Sequence, residues 1–154
     1  MAEYIYRTPT EADIKYLTEN LRQEDRRELT GLTGYDVEAE IRHCIRMSEY
    51  CWACALGDKT LAAFGVICVN PIERHGIVWM LASEEAAKHK IYTGKWTRKG
   101  IDAFRKDWAY LYNWVDEGNE ETIKWLKWIG ADVHPARPRG IYNKRYHLFT
   151  FMGE

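Results

Sequence analysis

The sequence predicts an α+β fold with about seven strands and flanking helices. Two observations support this prediction. Three apolar runs of strand length fill the middle of the 154-residue chain, whereas the segments around them repeat apolar residues at helical spacing. No internal repeat, low-complexity tract or linker divides the chain. We therefore expect residues 1–154 to form a single domain.

The composition excludes several classes of protein. Apolar residues make up 46% of the chain and charged residues 29%, which argues against disorder. The net charge of −1 gives no general attraction to nucleic acid or to an anionic membrane. No apolar run is long enough to span a membrane, and the N-terminus has no signal-peptide pattern, so we expect a soluble protein that is intracellular or packaged without secretion. The five histidines lack metal-ligand spacing, and we expect no metal site.

The first third of the chain predicts a strand followed by helices. Tyr4–Arg7 has the composition of a short strand, and Thr10 and Asp13 form a capping-box pattern ahead of a helix. The charged segment 21–29 predicts either a turn or a second short helix. Asp36 is placed to cap a further helix. The predicted apolar face of that helix consists of Val37, Ile41, Cys44 and Met47.

The middle of the chain predicts three strands and then two helices. Residues 50–56 and 60–69 flank Gly57-Asp58, a suitable hairpin turn, and residues 76–82 form a third apolar run. Residues 83–90 predict a short helix. Residues 93–108 predict a longer helix with one apolar face and one basic face. The basic face consists of Lys95, Arg98, Lys99, Arg105 and Lys106. It is either a solvated helix surface, which we favour, or a site for phosphate or nucleic acid.

The last third predicts strand, helix and hairpin. Residues 109–116 form a strand, and Asn119 is placed to cap a helix over residues 120–129. Gly130 suits the left-handed turn that ends this helix. Residues 131–136 and 146–152 then form a final hairpin. Its predicted loop contains Pro135, Pro138 and Gly140.

Cysteine spacing suggests redox or zinc chemistry at first sight. Cys51 and Cys54 have the Cys-x-x-Cys spacing, but they lie in a predicted strand, where residues three apart point to opposite faces. A thioredoxin-type pair opens a helix, and no second pair is present to complete a zinc site. We therefore predict buried free thiols.

This order of elements resembles that of the GNAT superfamily of N-acetyltransferases, and the resemblance covers nearly the whole chain. A narrower resemblance is to the small GNAT-like proteins of tailed phages, including the internal virion protein family of short-tailed coliphages. The matching pieces are Leu21-Arg-Gln-Glu-Asp25-Arg-Arg-Glu28-Leu, Val78-Trp-Met-Leu81-Ala-Ser83, Tyr112-Asn-Trp-Val-Asp116-Glu-Gly-Asn119, Lys127-Trp-Ile-Gly130-Ala and the closing Leu148-Phe-Thr-Phe151. The resemblance implies a mixed, mostly antiparallel central sheet.

The resemblance also implies an acetyl-CoA site, from which this sequence departs twice. The family's Gln/Arg-x-x-Gly-x-Gly/Ala loop cradles the pyrophosphate with backbone N–H groups, but residues 83–97 contain Gly94 as their only glycine. Many family members place a tyrosine acid seven residues after the asparagine, and here that position is Leu126. Tyr92, Tyr112 and Tyr142 are conceivable substitutes, and the spacing favours none of them. We expect a degenerate site.

The resemblance supplies the candidate site residues. Glu28 is the candidate general base, with Arg22 and Asp25 in a substrate-side wall; the alternative is a set of ordinary ion pairs, which we favour. The candidate cofactor-binding residues are Trp79, Leu81, Ser83 and Asn119. A strand tryptophan is more often part of the core, and helix capping alone accounts for the asparagine.

Two functions follow from the resemblance. We favour a phage accessory or virion-associated protein that needs no cofactor and contacts other virion proteins or a host protein. The alternative is an active N-acetyltransferase that uses acetyl-CoA on a host or phage protein. Either function implies a location in the host cytoplasm or the virion, with neither a membrane nor a nucleic acid as partner.

Overall fold

A computed structural model describes residues 3–154. In chain order the elements are β1 (Tyr4–Arg7), α1 (Glu11–Asn20), α2 (Gln23–Gly31), α3 (Val37–Met47), β2 (Ser48–Leu56), β3 (Lys59–Asn70), β4 (His75–Ala82), a 3₁₀ helix (Glu84–His89), α4 (Lys90–Asp107), β5 (Tyr110–Asp116), α5 (Glu120–Trp128), β6 (Asp132–Arg139) and β7 (Lys144–Met152). Within the described range, no helix has both the length and the apolar character that crossing a bilayer requires.

One seven-stranded sheet organises the molecule. Its strand order is β1-β2-β3-β4-β5-β7-β6. Every neighbouring pair is antiparallel except β4 and β5, which run parallel. The predicted α+β class and the mostly antiparallel mixed sheet are confirmed.

The two faces of the sheet carry separate apolar cores, because successive strand residues point to opposite sides. On β4, Val78 packs on one face with Ile101 of α4 and Leu126 of α5. Its neighbour Trp79 packs on the other face with helices α1 and α3, where it meets Leu17 and other buried residues. The sheet therefore separates an α4–α5 layer from an α1–α3 layer.

Capping side chains begin three helices where the sequence predicts them. The Thr10 hydroxyl accepts a hydrogen bond from Asp13 N at 3.2 Å, and the Asp13 carboxylate accepts one from Thr10 N at 2.8 Å. Asp36 accepts from Ala39 N at 2.8 Å at the start of α3. The helix α5 ends at a left-handed Gly130 with φ of 104°. These local signals are reliable because each satisfies backbone groups that a helix end leaves free.

The structure refines two predictions and corrects two others. The sequence leaves segment 21–29 open as a turn or a short helix; residues 23–29 lie in α2, and Leu21 and Arg22 precede it. The predicted short helix over residues 83–90 is a 3₁₀ helix at Glu84–His89. Pro135 and Pro138 lie inside β6, not in a loop, because β6 is an edge strand whose outer side needs no N–H donors. Met47, predicted on the apolar face of α3, is 51% exposed because it is the last residue of that helix.

All four cysteines are free thiols in the described part of the chain. Cys54 is buried and Cys51 is half-buried. Burial raises the pKa of Cys51 to about 12 and that of Cys54 to about 11. Both thiols are therefore protonated at neutral pH, which fits packing rather than redox chemistry.

Candidate functional site

The two parallel central strands separate along their length. They pair only at His75 with Tyr110, Gly76 with Leu111, and Ile77 with Tyr112. Beyond these pairs, residues 78–82 of β4 form no strand pairing with residues 113–116 of β5. A V-shaped gap therefore opens toward the carboxyl ends of both strands.

Backbone groups of β4 line this gap. Val78 O accepts a hydrogen bond from the Asn113 side chain at 2.8 Å, and Ala82 N donates to the Asp25 carboxylate at 2.7 Å. Both residues thus direct their backbone groups away from β3. In an antiparallel pair such groups alternate, so Met80, midway between the two, directs its N–H and C=O into the gap. The ladders with β3 and β5 leave these Met80 groups unpaired.

The helix α2 holds the β4 side of the gap. The Asp25 carboxylate that accepts from Ala82 N also pairs with Arg22, whose Nη2 lies 2.9 Å from Oδ1. Arg22 N donates to Ala82 O at 3.0 Å. Both backbone groups of Ala82 are therefore satisfied by the first turn of α2.

Glu28, one turn later on α2, holds the β5 side. Its Oε1 accepts from Asp116 N at 3.0 Å and from Asn119 Nδ2 at 3.0 Å. Burial raises the pKa of Glu28 to about 7, although both hydrogen bonds favour the ionised form. Because Asp25 and Glu28 are three residues apart on one helix face, α2 spans the gap with one carboxylate on each strand.

Asn119 connects this carboxylate to α5. Its Oδ1 accepts from Thr122 N at 3.3 Å and so caps the helix, while its Nδ2 donates to Glu28. The side chain is 6% exposed. The cap is as predicted, and the hydrogen bond to Glu28 adds a positioning role that capping alone does not supply. Contact between Asn119 and a cofactor stays a prediction.

The structure places the other predicted cofactor residues away from the gap. The Trp79 indole lies in the α1–α3 core, where its Nε1 donates to Ser48 Oγ at 2.7 Å. Leu81 pairs with Ala63 on β3. Ser83 is fully buried; its N donates to Leu61 O at 2.9 Å and its hydroxyl to Thr60 O at 2.7 Å. The role of these three residues in cofactor binding stays a prediction, and Met80, which the prediction omitted, has the better-placed backbone.

The start of α4 lies in the segment that corresponds to the family's pyrophosphate loop, where the sequence predicts a degenerate site. The helix has no acidic residue in its first turn, and His89 at its N-cap forms no capping hydrogen bond. The first turn of α4 therefore has neither a side-chain cap nor a negative charge that would oppose an anion at this end of the helix dipole. Glu85 in the preceding 3₁₀ helix does not bring an unbalanced charge, because its carboxylate lies 3.6 Å from Lys59 Nζ and 3.3 Å from Lys88 Nζ.

Contacts from β1 and α5 fix the position of this helix start. The Tyr4 hydroxyl bonds to His89 Nδ1 at 2.9 Å, and the Tyr4 ring stacks on Tyr92 with centroids 3.6 Å apart. Lys90 Nζ lies 3.5 Å from the Glu121 carboxylate at the start of α5. The two helix starts thus flank the same end of the sheet.

Tyr146 is a buried polar residue that the sequence did not single out. It is fully buried on β7, paired with Asp116, and its hydroxyl has no hydrogen-bond partner within residues 3–154. The hydroxyl lies against α2, where a Cβ built on Gly31 would approach it to 2.7 Å. Burial raises the pKa of Tyr146, and Asp116 and Glu28 raise it further. The phenol therefore stays protonated beneath α2.

Leu126 occupies the position where many GNAT enzymes carry a tyrosine acid, and it is 5% exposed in the α4–α5 core.

No group of three or more potential ligand side chains in residues 3–154 could hold a metal ion.

Comparisons with known proteins identify the fold. No protein-family profile and no curated protein matches the sequence. Among solved structures, Ard1 from Thermoplasma volcanium has a TM-score of 0.74 and 14% identity, with 98% of each chain covered. Spermidine N-acetyltransferase from Vibrio cholerae, in complex with CoA and spermine, has a TM-score of 0.69 and 12% identity, covering 97% of this chain and 95% of that one. A GNAT-family acetyltransferase from Streptococcus pneumoniae gives 0.67 and 13%, covering 99% and 100%. The chain has the GNAT fold.

Proposed function

We propose that this protein is an acetyl-CoA-dependent N-acetyltransferase with a donor site built differently from the family pattern. The observation that carries the proposal is the gap between β4 and β5, with the unpaired backbone of Met80 directed into it. A gap filled by the Trp79 side chain would have argued against an enzyme, but the indole lies in the α1–α3 layer. Solved structures with this fold include several N-acetyltransferases, one of them in complex with CoA.

The residues of this chain fit the donor. The unpaired N–H and C=O of Met80 match the amide groups of a pantetheine arm, which pairs with backbone as a strand does. The positive end of the α4 dipole, which has no acidic side chain in its first turn, suits a pyrophosphate together with Lys88 and Lys90. When bound, acetyl-CoA supplies a thioester whose C–S bond breaks as the acceptor's C–N bond forms.

Glu28 is the proton acceptor in this proposal. A base with a pKa of about 7 is half ionised at neutral pH, which suits removal of a proton from an amine. Both of its hydrogen bonds fall on Oε1, so Oε2 is the oxygen that takes the proton. Asn119 and the backbone of Asp116 keep the carboxyl group in place. Leu126 has no proton to donate, so the departing sulfur receives none from that position.

A thermal-shift titration with acetyl-CoA tests this proposal. Saturation to about 100 times Kd adds about 2.7 kcal/mol, which raises the Tm of a domain this size by about 5–10 °C. Lys90→Glu at the start of α4 should weaken binding, whereas Lys106→Glu at its other end is a matched control. A wild-type Tm that stays constant at millimolar acetyl-CoA would overturn the proposal.

A virion-associated role without catalysis is the second candidate. Two observations favour it: Gly94 is the sole glycine of segment 83–97, and Leu126 replaces the usual acid. The narrower resemblance to phage proteins points the same way. Mass spectrometry of purified phage particles tests this candidate, which predicts the chain at a constant copy number. Particles that lack the chain would rule it out.

A further inference from the structure

The hairpin of β6 and β7 forms a wall beside α2. Its turn packs on the end of that helix, where Ile141 N donates to Leu32 O at 3.3 Å. Gly140 has φ of 77°, and a Cβ built there would lie 2.9 Å from Leu32 Cα. The hairpin and α2 therefore flank the same face of β5 and β7.

This wall is basic. Arg137 pairs with Tyr146, and Arg139 pairs with Lys144, across the two strands. Cross-strand partners share a face, so all three cations lie on the face where Tyr146 meets α2. The three cations are exposed, and none forms an ion pair with an acidic group of residues 3–154. Arg145, on the opposite face, does pair with Glu117.

Arg139 lies next to the candidate site. Its guanidinium sits 4.0 Å above the centroid of the Trp114 ring on β5. Asp116 follows Trp114 by two residues on β5, and its backbone N–H donates a hydrogen bond to Glu28. Side chains two apart on a strand share a face, so the stacked guanidinium lies on the same face of β5 as the Asp116 side chain. Stacking on the ring restricts the Arg139 side chain, which then presents its N–H donors with a smaller loss of entropy.

The acidic groups nearby are already engaged. Asp25 pairs with Arg22, and Glu117 pairs with Arg145. Glu28 accepts two hydrogen bonds, and burial raises its pKa to about 7. Asp116, on the same face, accepts from Gly118 N at 2.7 Å and forms no ion pair within the described residues, so one unpaired carboxylate faces the three unpaired cations of the hairpin. The excess charge of this group is positive.

We propose that the acceptor is an acidic peptide whose amine reaches Glu28 while its carboxylates bind Arg137, Arg139 and Lys144. Arg137 and Arg139 are two residues apart on a strand, about 6.8 Å along it, which is also the spacing of alternate side chains in an extended peptide. Acidic residues at alternate positions therefore match the wall. Polyamines, the acceptors named for the Vibrio cholerae structures, would be repelled by it. This inference rests on the proposed function.

The test compares two peptides and two double variants. Each six-residue peptide has a free N-terminus and a C-terminal fluorophore, with either glutamate or lysine at alternate positions, and binding to the full-length protein is followed by fluorescence anisotropy. Arg137→Glu with Arg139→Glu removes the basic wall. Lys95→Glu with Lys106→Glu, at exposed positions of α4, changes the net charge equally and serves as the control. Arg137→Gln with Arg139→Gln is a milder form in case the charge reversal prevents folding.

The proposal predicts that wild type and control bind the glutamate peptide at least about tenfold more tightly than the lysine peptide. The hairpin variants should lose this preference, and added salt should weaken binding. Three results would overturn the proposal: tighter binding of the lysine peptide, faster acetylation of spermidine than of the glutamate peptide, or a control variant that loses the preference for the glutamate peptide as fully as the hairpin variants do. The acetyl-CoA thermal shift is read separately: if it fails while the peptide preference holds, the proposed function is wrong and the acidic-peptide surface stands.

Discussion

Replacing Glu28 with Gln tests the electrostatics of the site most fully. The ordinary pKa of this carboxyl is 4.5, and burial in the folded protein raises it to about 7. A raised pKa means that the folded state favours the protonated form. Below pH 4.5 the carboxyl is neutral in both states and carries no penalty. Above pH 7 it is ionised in both, and the raised pKa then corresponds to a cost of about 3 kcal/mol for the folded state.

Glu28→Gln removes this ionisation but keeps a side chain of similar size, whose Oε1 still accepts from Asp116 N and Asn119 Nδ2. The variant should therefore gain stability over wild type as pH rises, from little difference near pH 4.5 to about 3 kcal/mol near pH 8. Urea denaturation at intervals between these values measures the difference. Glu24→Gln, on the same helix, is the matched control. A difference that does not change with pH would show that Glu28 does not ionise at a raised pKa in the folded protein.

Three further predictions address the surroundings of the site. Ser48→Ala removes the acceptor of the buried Trp79 N–H and should lower the free energy of unfolding by about 1–3 kcal/mol, measured by urea denaturation, without weakening acetyl-CoA binding because the indole faces away from the gap. Gly140→Ala forces a side chain into a left-handed conformation beside the end of α2 and should cost about 1–3 kcal/mol in the same assay; a neutral result would show that the turn does not pack there. Cys51 and Cys54 should react slowly with a thiol reagent at pH 8 in the folded protein and rapidly in urea, and equal rates would contradict their burial.

Local patterns predicted most of the fold. Thr10, Asp36 and Asn119 identified three helix starts because each supplies the acceptor that a helix end requires. Pro135 misled the prediction of β6, because a proline excludes only the centre of a sheet and edge position is not visible in the sequence.

The site itself was only partly accessible from sequence. Family resemblance singled out Glu28 and Asn119 separately, one as a base and one as a cofactor contact, and the structure shows them hydrogen-bonded across 91 positions of the chain. No periodicity encodes such a contact, because it depends on how α2 crosses the two strands. Met80 was missed for a related reason. Its relevant groups belong to the backbone, and the alternation that exposes them becomes visible only once the register of β3 and β4 is known.

The most direct test of the account is the amide NMR spectrum of β4 during an acetyl-CoA titration. The Met80 amide faces the gap, whereas the amides of Trp79 and Leu81 face β3 and serve as internal controls. We expect a large shift of the Met80 resonance, smaller shifts of its two neighbours, and shifts in the first turn of α4. A Met80 resonance that stays fixed while acetyl-CoA binds elsewhere, or equal shifts of all three amides, would contradict the account.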